Sequence, residues 1–526
     1  MEKYKKILVV CAVLALLISA CAGGEDTPAV AGAGGNGAAA AGEAAAPVDE
    51  ITTMTVFINH TWYWTDRFEG IIPEALTERT GVRLDVTRAV DDAQMGLMIA
   101  SGDLHDLVFT WTDLDRLSTS RLSHPYNELI ERYVPEWTPC PIRVNIAKAM
   151  SDSDNFYFLR NNFNTPSEWE NYPGLPMFPT LAYRADILER LGNPPMSTID
   201  EYVDVLRMVR DEFPDMIPLA TSLTRSWRLM PFRVWMGVGN SDFIERADGS
   251  IIHFMNHPDY EEYARFINYL FREGLIMADN FAMTEADTKT LITNSQAFSF
   301  TGYSQGEMYR FGLMARSVDP DASMRESRPL GTRGNYYFSG TGWSGTIITR
   351  DNPAPDKAIR MMYFLFSDEG QRLAQWGREG IEWTMGGDGF PIFSQEWLDA
   401  SADDNIFYTK FNPAFFFGTS AAVEATGRIA VLPDYYRSVY EYFRPFMVFN
   451  PWIGHALPTG DIEERHILAR LTDLWESFEV RVFLSSTEEE FERNFSEMIN
   501  NAHQIGIEQL EAFMTEEVRL ARPLFE

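Results

Sequence analysis

Three tryptophans stand where they could grip a ligand. Trp62 and Trp64 follow one β-prone run, and Trp111 follows another with Thr110, Thr112 and Asp113 beside it. An aromatic plane flanked by hydroxyls and carboxylates suits a ring with apolar C–H faces and equatorial hydroxyls, as a sugar has. The same residues could serve as core, because tryptophan alone does not report exposure. The chemistry they offer is binding, and the motifs for covalent chemistry fail one by one. Gly340, Gly342 and Gly345 match G-x-G-x-x-G, but the β-prone run Thr346-Ile347-Ile348-Thr349 follows where a phosphate loop needs a helix. Gly342 and Ser344 begin a G-x-S-x-G elbow that Thr346 breaks. His253 and His257 are four apart, but Asn256 and Pro258 mark a turn there and no third ligand is evident, so no metal is expected. With 76 Asp and Glu in the chain, carboxylate pairs occur everywhere and no one pair is singled out for glycoside hydrolysis. No cofactor and no catalytic residue are expected.

The N-terminus carries a different chemistry. Lys3, Lys5 and Lys6 precede an apolar run, Ile7 to Ile18, that is too short to span a bilayer as a stable helix. Leu17 to Cys21 reads L-I-S-A-C and resembles the lipobox of bacterial lipoproteins. Ser19 and Ala20 are small enough for a peptidase cleft, and the Cys21 thiol can form a thioether to diacylglycerol. Residues 1–20 are therefore expected to be a signal peptide and Cys21 the lipidation site. Two acyl chains give lasting attachment where one is marginal. The expected location is the extracytoplasmic face of the cell membrane. Residues 21–50 are rich in Ala and Gly and cannot build a core; they read as a tether reaching roughly 30 Å. Cys140 is the one cysteine left after Cys11 and Cys21, so no internal disulfide is expected and Cys140 reads as a packed thiol.

From Ile51 onward the chain is long enough for two lobes or more. Its formal net charge is −32, and loss of residues 1–20 would remove three lysines and one glutamate, leaving about −34. That charge disfavours nucleic acid and polyanionic ligands. The elements that must hold the tryptophans are legible as alternating periods. Met54 to Asn59 and Val82 to Val86 alternate as strands, and Leu107 to Thr110 is a short apolar strand. Phe68 to Arg79 carries Phe68, Ile71, Ile72, Ala75 and Leu76 on one helical face, with Pro73 starting or kinking it and Gly81 ending it. Asp92 can cap a helix through Ser101. This βαβαβ order predicts a parallel sheet with helices on both faces and a ligand at the carboxyl ends of its strands, where Trp62, Trp64 and Trp111 fall. Further on, helices are expected at 185–191, 198–212, 355–366 and 369–377, with strands at 297–301 and 344–349. Near the C-terminus Thr487 and Glu490 form a capping box, with Phe491, Phe495, Met498 and Ile499 on one face.

Four segments together resemble one family, the extracellular solute-binding proteins of ABC importers that include maltose- and oligosaccharide-binding members. They are IPEALTERTGVRLDV from Ile72, MIASGDLHDLVFT from Met98, TLAYRADILERLG from Thr180 and AIRMMYFLFSDEGQRL from Ala358. The resemblance implies a two-lobed, periplasmic-binding-protein-like (type II) α/β fold with hinge crossovers and a helical C-terminal extension. Lobe 1 would be 51–165 plus 334–376 and lobe 2 would be 178–325 plus 378–526. Crossings would fall near 162–180, 323–334 and 376–380, and closure of the hinge would bury the ligand. It also implies further site residues: Tyr303 after the strand 297–301, Trp343 where the chain enters a strand bordering the cleft, and Trp227 and Trp383 from the second lobe. Trp235 reads equally well as core, and Arg225 could pair hydroxyls or a carboxylate.

The expected function is a receptor that captures an oligosaccharide for an ABC permease, acting as a monomer without covalent chemistry. A peptide or other small-solute receptor, a surface glycosidase and a sensor lipoprotein are the alternatives; ligand screening separates the first, product release the second, and neighbouring genes for two permease subunits would favour the importer over the last two.

Overall fold

The computed structural model describes residues 50–526 apart from Trp62, Asp92, Asp152, 172–177, 222–228, Thr284, 303–304, Ala402, 415–416, Thr419, 459–461 and Glu526. Strand β1 (Thr52–Ile58), helix α1 (Ile71–Thr80), strand β2 (Val82–Arg88), helix α2 (Gln94–Ser101) and strand β3 (Leu107–Thr110) open it in the expected order. β1 pairs in parallel with β2 on one side and β3 on the other. Pro73 lies in the first turn of α1, where its missing N–H breaks no helical bond. The sheet is not wholly parallel, because Gly345–Ile348 joins it beside β3 and runs antiparallel. That strand arrives from about 240 residues downstream, which no local period announces.

A second four-stranded sheet holds β4 (Leu181–Arg184) and β5 (Ile217–Thr221) with Ala297–Thr301 and Met324–Glu326. β5 and Ala297–Thr301 are parallel, and the other pairings are antiparallel. Thr221 and Thr301 end the two parallel strands side by side, their hydroxyls 3.2 Å apart.

Two large apolar clusters form around these sheets. The first gathers side chains from Met54 to Leu159 and from Ile347 to Val423. The second gathers Phe178 to Tyr336 and Ile429 to Val518. The chain therefore changes cluster between residues 159 and 178, between 336 and 347, and between 423 and 429. This corrects the expected boundary at 376–380. Trp383, Phe393, Trp397, Phe411 and Phe417 all pack with the first cluster, and Tyr336 packs with the second. The hairpin of Trp383–Met385 with Pro391–Phe393 carries the reason: Phe393 stacks on Trp397 at 4.0 Å, and Trp383 meets Trp376 edge-on at 5.0 Å.

The three connecting segments lie against one another. Asn161 N–H donates to Ser344 O at 2.9 Å, Asn164 N–H to Gly340 O at 2.8 Å, and Ala421 N–H to Phe163 O at 3.2 Å.

The C-terminal helices Glu463–Phe483, Glu488–Ile505 and Ile507–Ala521 are part of the second cluster rather than an appendage. Ile467, Leu471, Phe491, Met498, Leu510 and Met514 are buried there, and Asn268 Nδ2 donates to Phe483 O and Ser485 O at 3.0 and 2.7 Å. Thr487 caps its helix by accepting from Glu490 N–H at 3.1 Å. The return bond of the capping box is displaced by one residue, since Glu490 accepts from Ser486 N–H at 2.8 Å.

Candidate ligand cleft

The carboxyl edge of the first sheet is built by three chain segments. β1 runs into Asn59 and His60, β3 runs into Trp111, Thr112 and Asp113, and the antiparallel strand Gly345–Ile348 begins beside them after Trp343 and Ser344. Their polar groups are tied to one another. Asn59 Nδ2 donates to Thr110 Oγ1 at 3.0 Å and Thr112 Oγ1 at 3.1 Å, and Thr110 Oγ1 donates to Thr112 O at 2.9 Å. Thr110 is fully buried. Its expected role as a ligand contact is corrected: its hydroxyl is used in shaping the turn that presents Trp111. Asp113 takes the left-handed conformation, φ 55°, and its carboxylate accepts from Arg116 Nη1 at 2.6 Å.

Trp111 is 60% exposed at this edge. A side chain of that size left open to solvent beside hydrogen-bonding groups is available to stack on a ligand. Trp343 is half-buried, held edge-on by His60 at 5.2 Å and by Phe109 at 6.1 Å. Gly342, just before it, has φ +72°, and a Cβ there would fall 2.0 Å from Asn161 O. Only glycine lets the connecting segments approach this closely while delivering Trp343.

His60 Nε2 and Ser344 Oγ are 3.1 Å apart, a spacing a nucleophile and its base could share. The pair is closed to a substrate: Ser344 is fully buried, and His60 is 3% exposed and packed against Phe109 and Trp343. Burial lowers the His60 pKa to about 4, so the imidazole is neutral at physiological pH. Ser344 N–H also donates to Asn161 Oδ1 at 3.0 Å. The pair fixes the beginning of the strand next to Trp343. No group of His, Cys, Asp and Glu among the described residues is arranged to hold a metal ion.

Two further expectations are corrected. Trp383 is 2% exposed, its indole N–H donates to Gly377 O at 2.9 Å, and it packs on Trp376, so it is core. Trp64 stacks on Tyr63 at 4.2 Å and on Tyr408 at 4.7 Å, and its indole N–H donates to Asn412 Oδ1 at 3.1 Å. Its ring is engaged with protein, so it serves packing. Trp235 is fully buried. Trp62, Trp227, Arg225 and Tyr303 lie outside the described residues. The segments leaving Thr221 and Thr301, the carboxyl ends of the parallel pair in the second sheet, are those that contain Trp227 and Tyr303. Asn59, His60, Asn161 and Arg160 were not anticipated. The first two directly follow β1, so the carboxyl-edge rule that selected Trp111 also points to them.

Comparison with solved structures sets this arrangement in context. The alginate-binding protein AlgQ2, solved without calcium ion, superposes with a TM-score of 0.66 at 17% identity, over 90% of this chain and 99% of that one. The substrate-binding protein FusA of a Streptococcus pneumoniae ABC transporter, in complex with kestose, gives 0.65 at 15% identity over 90% and 100%. A solute-binding protein associated with a human-milk-oligosaccharide-binding ABC transporter from Bifidobacterium longum infantis gives 0.61 at 15% identity over 89% and 99%. The fold is that of the two-lobed solute-binding proteins of ABC importers. No family model matches the sequence, and no curated protein is similar to it in sequence. The two sheets lie in separate apolar clusters, and the carboxyl edge with Trp111 and Trp343 belongs to the first. Among the described residues no helix is long and apolar enough to cross a membrane.

Proposed function

We propose that this chain is a lipid-anchored extracytoplasmic receptor that captures an oligosaccharide and delivers it to an ABC permease. The observation that carries the reading is Trp111, exposed on the carboxyl edge of the first sheet with Trp343 at the same edge. An exposed indole costs solvation unless a ligand covers it, and a sugar face suits it. The structural neighbours include an alginate-binding protein, a solute-binding protein of an HMO-binding transporter and a protein in complex with kestose. Trp227 and Tyr303, on segments leaving the second sheet, are proposed to supply the opposing wall, with Trp62 and Asp113 at the first-lobe rim. The receptor does no covalent chemistry. Ligand binds the closed form more tightly, so it shifts the population toward the form that the permease recognises. Cys21, at the end of L-I-S-A-C, is proposed to carry the lipid that keeps the receptor at the membrane, with residues 22–50 as its tether.

A thermal-shift screen of the purified protein against oligosaccharides and peptides tests this reading. At a hundredfold excess over Kd, a true ligand raises stability by about 2.7 kcal/mol. Stabilisation by one or more oligosaccharides is expected. Stabilisation by peptides alone would move the protein to another receptor class, and cleavage of the bound sugar would make it an enzyme.

A further inference from the structure

We infer that the captured oligosaccharide carries an acidic group and that Arg160 is the residue that receives it; this rests on the receptor reading above. Arg160 lies on the first connecting segment, bridged to Gly345 at the start of the last strand of the first sheet. Its guanidinium meets only weak acceptors. Nη1 reaches Gly342 O at 3.3 Å, Nη2 reaches the Met150 thioether at 3.4 Å, and the buried Nε has no partner. No carboxylate pairs with it among the described residues, in a chain with 76 of them. Burial lowers its pKa to about 10, and no neighbouring carboxylate offsets that shift.

Other buried arginines are held by carboxylates, carbonyls or rings, although Arg143 Nε and Arg184 Nη1 also lack a hydrogen bond. Arg184 is held by Asp186 and Asp319, both at 2.6 Å. Arg233 donates to Gly239 O at 2.7 Å and Ser241 O at 2.8 Å. Arg143 lies over the rings of Phe163 and Phe366 at 4.6 and 4.9 Å, with the charge of Glu168 supporting it. A desolvated cation with five donors and no good acceptor is costly, and an oxyanion arriving with the ligand would complete it.

The position suits that role. The acceptor Gly342 O belongs to the residue just before Trp343, so the guanidinium sits at the base of a proposed stacking surface. Across from it is His455, on the second cluster's helix Pro451–His455, close enough that the Arg160 charge lowers the histidine's pKa further. Arg160 thus contacts Met150, which packs on the first cluster, and lies near His455 of the second. A guanidinium fork matches the two oxygens of a uronate carboxylate or of a sulfate ester. The net charge of −32 works against a long polyanion. At physiological ionic strength, charges farther than about 8 Å are largely screened, so a short acidic oligosaccharide is decided by the local cation.

Calorimetric titration of the full protein tests this with three matched oligosaccharides: neutral, bearing one uronate, and bearing one sulfate. Parent, Arg160→Gln and Arg160→Lys proteins are compared, with thermal midpoints measured in the absence of sugar. The expected result is at least about tenfold tighter binding of an acidic sugar than of its neutral counterpart. Arg160→Gln should remove that preference, giving the same affinity for acidic and neutral sugars, and Arg160→Lys should keep part of it. The Gln variant should melt no lower than the parent, because it removes an uncompensated charge. The sulfate and uronate arms tell which oxyanion is preferred. Equal binding of neutral and acidic sugars, or a preference that survives Arg160→Gln, overturns the inference and leaves the receptor reading intact. Binding of no sugar at all overturns the receptor reading and this inference with it. A lower melting point with unchanged acid preference would make Arg160 structural.

Discussion

Glu326 gives a pH test of the second lobe that can be worked in numbers. It ends the strand Met324–Glu326, pairs with Ala182 and is 1% exposed. Neither carboxyl oxygen makes a hydrogen bond of ordinary geometry; Thr180 is the one favourable neighbour and offsets little. Burial raises its pKa from the ordinary 4.5 to about 8. The native state therefore holds a proton that the unfolded chain releases above pH 4.5. Between the two values the unfolded state binds fewer protons, so stability falls as pH rises, at up to about 1.4 kcal/mol per pH unit. Across the window from 4.5 to 8 the loss is on the order of 3–5 kcal/mol. Glu326→Gln keeps the shape and stays neutral throughout. Urea denaturation at pH 5, 6.5 and 8 should find the two proteins close at pH 5 and the variant more stable at pH 8 by a few kcal/mol. Taking the difference between them cancels the other titrating groups. Equal pH dependence of the two proteins would refute the reasoning, and so would a parent that gains stability on the variant as pH rises.

Trp383→Ala and Trp111→Ala should separate packing from binding. The first should cost about 3–5 kcal/mol of stability. The second should leave stability within about 0.5 kcal/mol and weaken ligand binding. Denaturation midpoints and calorimetry read both, and exchanged outcomes would reverse the assignments. Gly342→Ala places a Cβ 2.0 Å from Asn161 O at φ +72°. It should destabilise by more than about 1 kcal/mol, whereas a neutral result in a melting scan would mean that the connecting segments are less closely packed than described. Cys21→Ala should abolish incorporation of labelled fatty acid in a bacterial host; undiminished labelling would remove Cys21 as the anchor.

The sequence made the opening of the first lobe legible because its strands and helix are local and amphipathic. Met54, Val56 and Ile58 alternate inward, and Ile72, Ala75 and Leu76 share the buried face of α1. The strand at 297–301 is short and buried on both faces, so it is legible from its apolar run rather than from alternation. The lobe boundary was not, because residues 383–423 rejoin the first core through contacts such as Phe393 on Trp397, which have no local signature. Among the candidates, aromatic type and position after a strand selected Trp111 and Trp64, and the family resemblance selected Trp343 and Trp383; neither could tell that the indole N–H groups of Trp383 and Trp64 are bonded within the protein. Selection by aromatic type also passed over Asn59 and His60, which follow β1, and Arg160, whose lack of a carboxylate partner shows only in three dimensions.

Calorimetry with Trp343→Ala tests the central claim most directly. The parent is titrated with the oligosaccharide that stabilises it best, and the variant with the same sugar under the same conditions. Stacking of an aromatic on a nucleic-acid base is worth about 1–3 kcal/mol, and a sugar face is expected to fall in the same range. The account predicts saturable binding by the parent and a Kd weaker by about tenfold to a hundredfold in a variant that still folds. Parent and variant binding with the same Kd would contradict the placement of the ligand on this edge of the first sheet.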